Sequence, residues 1–184
     1  MYTFDYIRPV WAEISLDNLA HNMREVKKNV REGVLVTAVV KANAYGHGSI
    51  KSAEIFLNNG ADRLAVATLS EAIELRRADI DAPLLILGYT PESQYPLVVK
   101  YNIIQTIYDY ESAKTFSEAA VSLNKTGTIH LKIDSGMGRL GFLPKDEAID
   151  EIVKIYNLPN LETEGIFTHF ATADEKDKTY TKFQ

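Results

Sequence analysis

A lysine ends one of the apolar runs of this sequence. The stretch from Thr37 to Gly48 reads T-A-V-V-K-A-N-A-Y-G-H-G, so Lys41 follows an unbroken apolar segment and precedes a loop with two glycines. A short apolar run bounded by turn signals is typical of a strand buried on both faces of a parallel sheet. Ligands bind at the carboxyl ends of such strands, which is where Lys41 would lie. The alternative is that Lys41 is a solvated residue that flanks a hydrophobic strand.

Three more side chains that could take part in chemistry follow other predicted strands. Asp134 and Arg139 lie beside or within the glycine-rich loop S-G-M-G-R-L-G, and His169 ends a later apolar run. If all the strands are parallel, these side chains share one edge of the sheet with Lys41. A lysine whose pKa is lowered by a cation or an apolar pocket can condense with an aldehyde, and an arginine can bind a carboxylate or phosphate through two hydrogen bonds. The set predicts a site with a reactive lysine and anion-binding groups.

The glycine-rich loop also matches a dinucleotide-binding pattern. Gly136, Gly138 and Gly141 satisfy G-x-G-x-x-G after a predicted strand. In a dinucleotide site the helix begins within the glycine run, whereas here F-L-P intervenes before helical periodicity resumes. The required acidic residue should end the next strand, but Glu162 and Glu164 precede that strand as we predict it. We therefore interpret the glycines as residues that permit positive φ and close backbone approach in a long loop.

Short apolar runs alternate with segments of helical periodicity along the chain. Six runs are predicted strands, at residues 35–41, 64–67, 84–87, 103–107, 129–134 and 165–169. This alternation predicts βα units, a parallel sheet and right-handed crossovers. A doubly wound sheet would suit the length, whereas a (β/α)8 barrel needs eight strands and about 250 residues. Residues 180–184 read like the middle of a helix that follows the sixth strand, so the βα pattern does not come to a natural stop there. We therefore expect an α/β fold, a TIM-type barrel truncated after about six βα units.

Helix signals lie between the predicted strands. They are a first helix from Leu16 to about Asn29, a helix C′ glycine at Gly60, capping-box spacing at Thr68 and Glu71, an N-cap at Asp109, and Pro144 in the first turn of a later helix. A strand-like segment at 10–14 precedes the first helix and is expected to pair outside the barrel. We find no internal domain boundary, so residues 1–184 form one incomplete barrel domain in this prediction.

Composition restricts the classes of function. The chain has 184 residues, 46% of them apolar, which suits one globular domain. A formal net charge of −5 without a dense Lys/Arg cluster argues against a nucleic-acid partner or an anionic membrane surface. No apolar run approaches the ~20 residues that span a bilayer, and the opening residues lack the order of a secretory signal, so we expect a cytoplasmic protein. The chain has no cysteine and its four histidines lack metal-ligand spacing, so we predict neither thiol catalysis nor a metal site.

Three motifs together resemble the N-terminal signatures of bacterial alanine racemases. They are A-V-V-K-A-N-A-Y-G-H-G, K-I-D-S-G-M-G-R-L-G-F and F-T-H-F-A-T-A-D. The resemblance covers essentially the whole chain and implies a TIM-type barrel of fold-type III that binds pyridoxal 5′-phosphate (PLP). It further implies a homodimer that interconverts L-alanine and D-alanine through a PLP aldimine and supplies D-alanine for peptidoglycan. In that family a β-rich C-terminal domain follows the barrel, and this chain lacks a counterpart to it.

The resemblance also implies a role for each matching residue. Lys41 would form the internal aldimine with PLP and then act as the base on the D-alanine side. Tyr45 would donate a hydrogen bond to the cofactor phosphate, and His169 would pack against the pyridine ring. Arg139 would contact the cofactor's phenolic oxygen and the substrate carboxylate. Lys132 matches a lysine that family members often carry as a carbamate, an anion that could pair with Arg139.

Two parts of the family's site have no counterpart in this sequence. They are a tyrosine from the partner subunit, which serves as the second base, and an arginine in a later barrel strand, which bonds the pyridine nitrogen. We therefore expect this chain alone not to racemise alanine. The alternatives are a single-domain PLP-binding homeostasis protein without racemase activity, a racemase for another amino acid such as serine or lysine, and an inert α/β module.

Overall fold

A single parallel sheet organises residues 10–184. A computed structural model describes residues 10–184. Residues 1–9, which contain most of the opening segment in which we find no secretory signal, lie outside the described residues. The strands are β1 (Thr37–Val39), β2 (Arg63–Val66), β3 (Leu84–Ile86), β4 (Ile104–Ile107), β5 (Gly127–Lys132) and β6 (Leu161–Phe167).

Helical segments alternate with these strands. They are α1 (Leu16–Asn29), α2 (Lys41–Tyr45), α3 (Ser49–Asn58), α4 (Leu69–Arg77), α5 (Tyr95–Lys100), α6 (Tyr110–Ser122), α7 (Asp146–Tyr156) and α8 (Thr179–Phe183), with one 3₁₀ turn at Glu92–Gln94. None of the helices within residues 10–184 has the length and apolar character needed to cross a membrane.

The strand order distinguishes the two predicted architectures. The six strands pair in parallel, in the order β1-β2-β3-β4-β5-β6. A doubly wound sheet reverses its strand order at a switch point, and this sheet does not. Sequential parallel pairing is the arrangement of a (β/α)8 barrel. The predicted fold class, an α/β barrel represented by about six βα units, is confirmed.

An ion pair across the sheet shows that the sheet is strongly curved. Both guanidinium nitrogens of Arg63 on β2 donate to the carboxylate of Glu164 on β6, at 2.7 and 2.6 Å. Neighbouring strands lie about 4.8 Å apart, so in a flat sheet β2 and β6 would be separated by roughly 19 Å. A direct contact between their side chains requires the sheet to curl. His130 on β5 joins the pair, with its Nε2 2.9 Å from the same carboxylate.

Apolar side chains cover both faces of the sheet. The larger cluster lies between the strands and the helices, where Leu64, Ile86 and Ile129 pack with Phe116 and Leu75. A smaller cluster on the other face contains Ala65, Leu85 and Ile104, with Leu87 and Phe167 packed against it. Successive residues of one strand therefore enter different clusters. This is expected for a parallel sheet that is buried on both faces.

Several predicted helix boundaries are confirmed. Helix α1 spans Leu16–Asn29, as predicted. Thr68 and Glu71 form the capping box of α4, and the Asp109 side chain accepts a hydrogen bond from Ser112 N at the start of α6. Gly60 follows α3 with φ of 116°, a conformation that favours glycine.

Other boundaries require correction. Strand β6 begins at Leu161 rather than at residue 165, so Glu162 and Glu164 lie within the strand instead of preceding it. Pro144 precedes the N-cap of α7, which is Lys145, and is not in the first turn. Residues 10–14 do not form a strand.

Three further elements differ from expectation. Helix α5 was not predicted, because Q-Y-P-L-V-V-K is short and mostly apolar. The C-terminal segment is the beginning of a helix at Thr179 and not the middle of one. Strand β1 is an edge strand whose Val39 is 38% exposed, so it is not buried on both faces within the described residues.

The Arg63–Glu164 pair should make stability depend on pH. The hydrogen bond from Arg63, with a smaller contribution from His130, holds the pKa of Glu164 below its usual value despite partial burial. Such a carboxylate stabilises the fold above its unfolded pKa of about 4.3 and loses this effect as the pH falls through the lower folded value. We expect Glu164→Gln to lower the free energy of unfolding by about 1–3 kcal/mol at pH 7 and by less at acidic pH, as measured by urea unfolding.

A neighbouring glutamate supplies the control for this prediction. Glu162 lies on the same strand and its side chain is exposed. Glu162→Gln removes the same charge without breaking the contact with Arg63. An equal loss of stability in the two variants, or a loss in Glu164→Gln that does not change with pH, would contradict the prediction.

Candidate functional site

Lys41 lies at the carboxyl edge of the sheet, immediately after β1. The residue before it, Val40, is fully buried and donates its N–H to Ala65 O of β2 at 2.9 Å. This bond extends the pairing of β1 with β2 to the residue that precedes the lysine. The backbone at Lys41 is therefore attached to the sheet, and its side chain starts from the edge at which the other predicted site residues lie.

The backbone after Lys41 turns in the left-handed sense. Ala42, Asn43, Ala44 and Tyr45 have φ values of 51–54°, so four consecutive residues other than glycine occupy the left-handed helical region. This region costs an ordinary residue roughly 1–2 kcal/mol relative to the right-handed helix. The turn, residues 42–45, is therefore unfavourable in isolation and requires neighbouring groups to stabilise it.

Hydrogen bonds from outside the left-handed turn stabilise it. Asn43 Oδ1 accepts from Ser49 N at 2.8 Å, which fixes the turn to the start of α3. His47 Nδ1 lies 2.8 Å from Ala44 O, and because a carbonyl only accepts, this ring nitrogen carries the proton. Glu71 Oε1 accepts from Ala42 N at 2.8 Å, which fixes the turn to α4.

The glycine-rich loop after β5 is organised by Asp134. Its carboxylate accepts hydrogen bonds from Gly136 N, Gly138 N and Arg139 N, at 3.0, 2.9 and 2.9 Å. These backbone donors, with Gly138 contributing most, hold the pKa of Asp134 below its usual value. The carboxylate thus folds the loop around itself and fixes the backbone of Arg139. Helix α7 begins only at Asp146, beyond the glycines, which agrees with our rejection of a dinucleotide site.

The end of the glycine-rich loop lies directly against the end of β5. Phe142 N donates to Lys132 O at 2.8 Å, and Asp134 N donates to Phe142 O at 2.9 Å. At Gly141, with φ of +139°, an added Cβ would lie 2.7 Å from Ile133 C and closer still to Asp134 N. Only glycine permits this approach, which is one of the two roles predicted for the glycines of this loop.

One cavity brings together three of the predicted residues. It has a volume of about 230 Å³ and is lined by Lys41, Lys132 and Arg139 together with Ala67, Leu87, Gly88 and Leu140. The three charged side chains of this lining are all cations. The four other residues are small or apolar, so the lining has no polar side chain besides these three cations.

Lys132 is the most buried of the three cations. It is 5% exposed, its Nζ donates to Ile133 O at 2.9 Å, and the same nitrogen lies 5.2 Å from the centre of the Phe167 ring. Burial lowers the pKa of the Lys132 amine, while Asp134 opposes this shift and Arg139 adds to it. The Lys132 amine therefore loses its proton more readily than the amine of an exposed lysine does.

His169 lies within electrostatic range of the same three cations. Desolvation, followed by the positive charges of Arg139, Lys132 and Lys41 in that order, lowers the pKa of its imidazole. His169 follows β6 at the edge of the sheet where Lys41 follows β1. The structure thus brings Lys41, Lys132, Arg139 and His169 together from the ends of three strands, although their sequence positions are far apart.

Tyr45 takes a more peripheral position. It is the last residue of the left-handed turn and is 62% exposed. Its predicted contact with a cofactor phosphate remains a prediction, as do the predicted cofactor contacts of His169 and Arg139.

Sequence reasoning named two residues that build the site but missed what their carboxylates do there. Glu71 was assigned only to the capping box, and its distant partner, Ala42 N, lies 29 positions away. Asp134 was grouped with the reactive residues, although its carboxylate is occupied by the loop backbone. For Asp134 a signal was available, because an aspartate followed by serine and glycine is typical of a turn in which the side chain accepts backbone hydrogen bonds.

Comparison with known proteins agrees with this geometry. The family model described as alanine racemase, N-terminal domain, matches residues 14–184. An alanine racemase of Clostridium tetani is 59% identical over 181 residues, which make up 98% of this chain and 46% of that protein. The chain spans about half the length of the relatives it matches.

Solved structures give the same result. An alanine racemase of Clostridium difficile 630 in complex with cycloserine superposes with a TM-score of 0.94 at 44% identity, covering 97% of this chain and 49% of that one. The alanine racemase of Bacillus anthracis with bound L-Ala-P superposes with a TM-score of 0.90 at 37% identity, over 98% of this chain and 46% of that one. By fold, by the arrangement of its strand-end residues and by sequence, the chain belongs to the alanine racemase N-terminal domain family.

Proposed function

We propose that this chain is the cofactor-binding part of a PLP-dependent racemase that interconverts L-alanine and D-alanine. The observation that supports this most directly is the cavity that Lys41, Lys132 and Arg139 line together. The high identity to proteins named alanine racemase supports alanine as the substrate. The product D-alanine would serve peptidoglycan synthesis, and the protein would act in the cytoplasm.

The cavity suits the chemistry of PLP. PLP carries an aldehyde, a phenolic oxygen and a phosphate on one aromatic ring, so it needs an amine to bind covalently and cations to balance its charge. Lys41 offers the amine, and Arg139 offers a guanidinium with several donors. An apolar cavity of about 150 Å³ can hold benzene, so the 230 Å³ found here suits one substituted ring.

The residues of this chain would divide the work as follows. Lys41 would hold the cofactor and, once released by the substrate amine, would take or return the proton at the alanine Cα on one face. Arg139 would orient the phenolic oxygen and the substrate carboxylate, and Tyr45 would bond the phosphate. His169 would cover the ring, where its lowered pKa keeps the imidazole neutral. When bound, PLP supplies the conjugated ring that accepts the electrons of the Cα–H bond.

Racemisation requires a second proton-transfer group on the opposite face of the substrate. We propose that a tyrosine of a partner subunit supplies it, in a homodimer of a longer protein. On this proposal the 184-residue chain alone does not racemise alanine. We also infer that cycloserine, which is bound in the solved relative, would compete for the same cavity.

Reductive labelling tests the proposal directly. The purified chain is mixed with PLP, reduced with borohydride and digested, and the labelled peptides are mapped by mass spectrometry. We expect the label at Lys41, because this lysine lines the same cavity as the cations that would bind the cofactor's anionic groups.

The other outcomes separate the alternatives. Label distributed over exposed lysines would contradict the proposal and favour an inert α/β module. Label at Lys41 in a longer form of the protein that lacks racemase activity would favour a PLP-binding homeostasis protein. Turnover of serine or lysine in preference to alanine would change the substrate while leaving the assignment of Lys41 intact.

Lys132 is proposed to carry a carbamate. A carbamate forms from the neutral amine and CO2, and burial lowers the pKa of this amine. The product is an anion, and it would replace a pair of like charges, Lys132 and Arg139, with a pair of opposite charges. The modified side chain would then hold the Arg139 guanidinium in place.

Isotope labelling tests the carbamate. In ¹³C-bicarbonate we expect one carbamate carbon signal by NMR, which disappears in Lys132→Arg because a guanidinium does not form the adduct. Lys114→Arg is the control, because Lys114 is exposed on α6. Absence of the signal in the unaltered chain, or its persistence in Lys132→Arg, would contradict the assignment.

A further inference from the structure

The left-handed turn raises the question of what determines the direction of the Lys41 side chain. The four residues that follow the lysine hold an unfavourable conformation, so a weakly held turn would relax and move the lysine with it. The bonds of Asn43 and His47 fix the distal part of the turn. The contact nearest to Lys41 is the hydrogen bond from Ala42 N to Glu71.

Glu71 uses both of its carboxylate oxygens. Oε1 accepts from Ala42 N at 2.8 Å, and Oε2 accepts from Ala67 N at 2.7 Å and from Thr68 N at 3.2 Å. Ala67 directly follows β2 and lines the cavity beside Lys41. One side chain therefore joins the peptide that follows Lys41 to the wall of the cavity that faces it.

Glu71 is itself well placed to hold this bridge. It lies in the first turn of α4, where unpaired backbone N–H groups favour a negative charge. The capping box with Thr68 restrains its side chain. Hydrogen bonds to a carboxylate are stronger than those between neutral groups, so the bond from Ala42 N can offset part of the cost of the turn.

We propose that Glu71 is a positioning residue for Lys41, acting through Ala42 N to fix the left-handed turn and thereby direct the lysine amine into the cavity. The inference rests on the proposed function, because it assigns to Glu71 the orientation of the amine that would bind PLP. It gives the capping-box glutamate a role beyond the stability of α4.

The test compares three variants of the 184-residue chain. Glu71→Gln keeps the size of the side chain but leaves only one acceptor oxygen, so Ala42 N and Ala67 N cannot both be satisfied. Thr68→Ala weakens the capping box but keeps the carboxylate. Glu74→Gln removes the same charge from an exposed position one turn along the same helix.

Two readouts are measured for each variant. Amide hydrogen exchange at Ala42 and Ala67 is followed by NMR relative to Leu131, which is buried in β5. The rate of reductive labelling of Lys41 by PLP is followed relative to exposed Lys114 in the same digest. In Glu71→Gln the one acceptor oxygen keeps more partners at Ala67 N and Thr68 N than at Ala42 N. We therefore expect exchange at Ala42 to be about tenfold faster and labelling of Lys41 to be about tenfold slower, as for the loss of one charge-assisted hydrogen bond. Glu74→Gln should leave both ratios unchanged, and Thr68→Ala, which keeps both carboxylate oxygens of Glu71, should change them clearly less than Glu71→Gln does.

The outcomes distinguish the positioning role from the proposed function. Unchanged exchange at Ala42 in Glu71→Gln would overturn the inference, even if exchange at Ala67 becomes faster. Faster exchange with an unchanged labelling ratio would overturn the positioning role, and so would an equal effect of Thr68→Ala. If the unaltered chain is not labelled at Lys41, the proposed function fails, and the exchange comparison alone still decides whether Glu71 holds the turn.

Discussion

Reductive labelling by PLP should have a fast phase that belongs to Lys41. This phase should disappear when Lys41 is replaced by arginine. Arginine keeps the positive charge and much of the length of lysine, but its guanidinium stays protonated and does not condense with an aldehyde. The exposed lysines should react at least about a hundredfold more slowly, because they lack neighbouring groups that hold the reagent in place. Lys132 lines the same cavity, but it is only 5% exposed and is proposed to carry a carbamate. The measurement is the time course of PLP incorporation after borohydride reduction.

A matched substitution separates this effect from a general loss of lysines. Lys114→Arg changes an exposed residue on α6 and should leave the fast phase intact. The unfolding midpoint of Lys41→Arg should also stay close to that of the unaltered chain, because position 41 is only partly buried. A fast phase that survives in Lys41→Arg would show that another amine reacts with PLP.

Gly141→Ala should be the most damaging single-methyl substitution in the glycine-rich loop. At φ of +139° the new Cβ would lie 2.7 Å from the backbone carbon of Ile133, and a backbone atom that belongs to the continuation of β5 cannot rotate away. We expect the free energy of unfolding to fall by about 3 kcal/mol or more, since strain and a backbone clash add. Urea unfolding measures this loss.

Gly138→Ala is the control within the same loop. Gly138 has φ of +72°, but an added Cβ there would meet no atom within 4 Å. Its replacement should therefore cost only about 1 kcal/mol, the price of the left-handed conformation alone. Similar losses in the two variants would mean that the close approach at Gly141 is not what shapes the loop.

The order of the strands and the edge that carries the site could be predicted from the sequence. Apolar runs of strand length are local signals, and parallel pairing brings their carboxyl ends to one edge whatever the rest of the chain does. This was sufficient to group Lys41, Arg139 and His169. The capping box at Thr68 and Glu71 and the cap at Asp109 were also predictable, because each is formed within one turn of helix.

The left-handed turn could not be predicted in the same way. None of residues 42–45 is glycine, and only Asn43 is of a type that often adopts positive φ, so the sequence does not indicate four such residues in a row. The conformation depends on Glu71, which lies 29 positions from Ala42 and reaches it only after β2 and α4 have formed. The geometry at the reactive lysine is thus a tertiary property.

The start of β6 was missed for a related reason. Glu162 and Glu164 have low strand propensity, so the strand seemed to begin after them. A charged residue is tolerated inside the strand here because Arg63 and His130 contact the Glu164 carboxylate. Those partners lie on β2 and β5, so a prediction from nearby residues alone makes β6 too short.

The same ion pair has a consequence for how the chain folds. Arg63 and Glu164 are 101 positions apart, and bringing together the ends of an otherwise disordered loop of that length costs roughly 4 kcal/mol in entropy. This cost becomes small once the intervening strands have paired with their neighbours, so the contact should form last. A contact absent from the folding transition state slows unfolding without speeding folding. We therefore expect this pair to extend the lifetime of the native state and to have little influence on the folding rate.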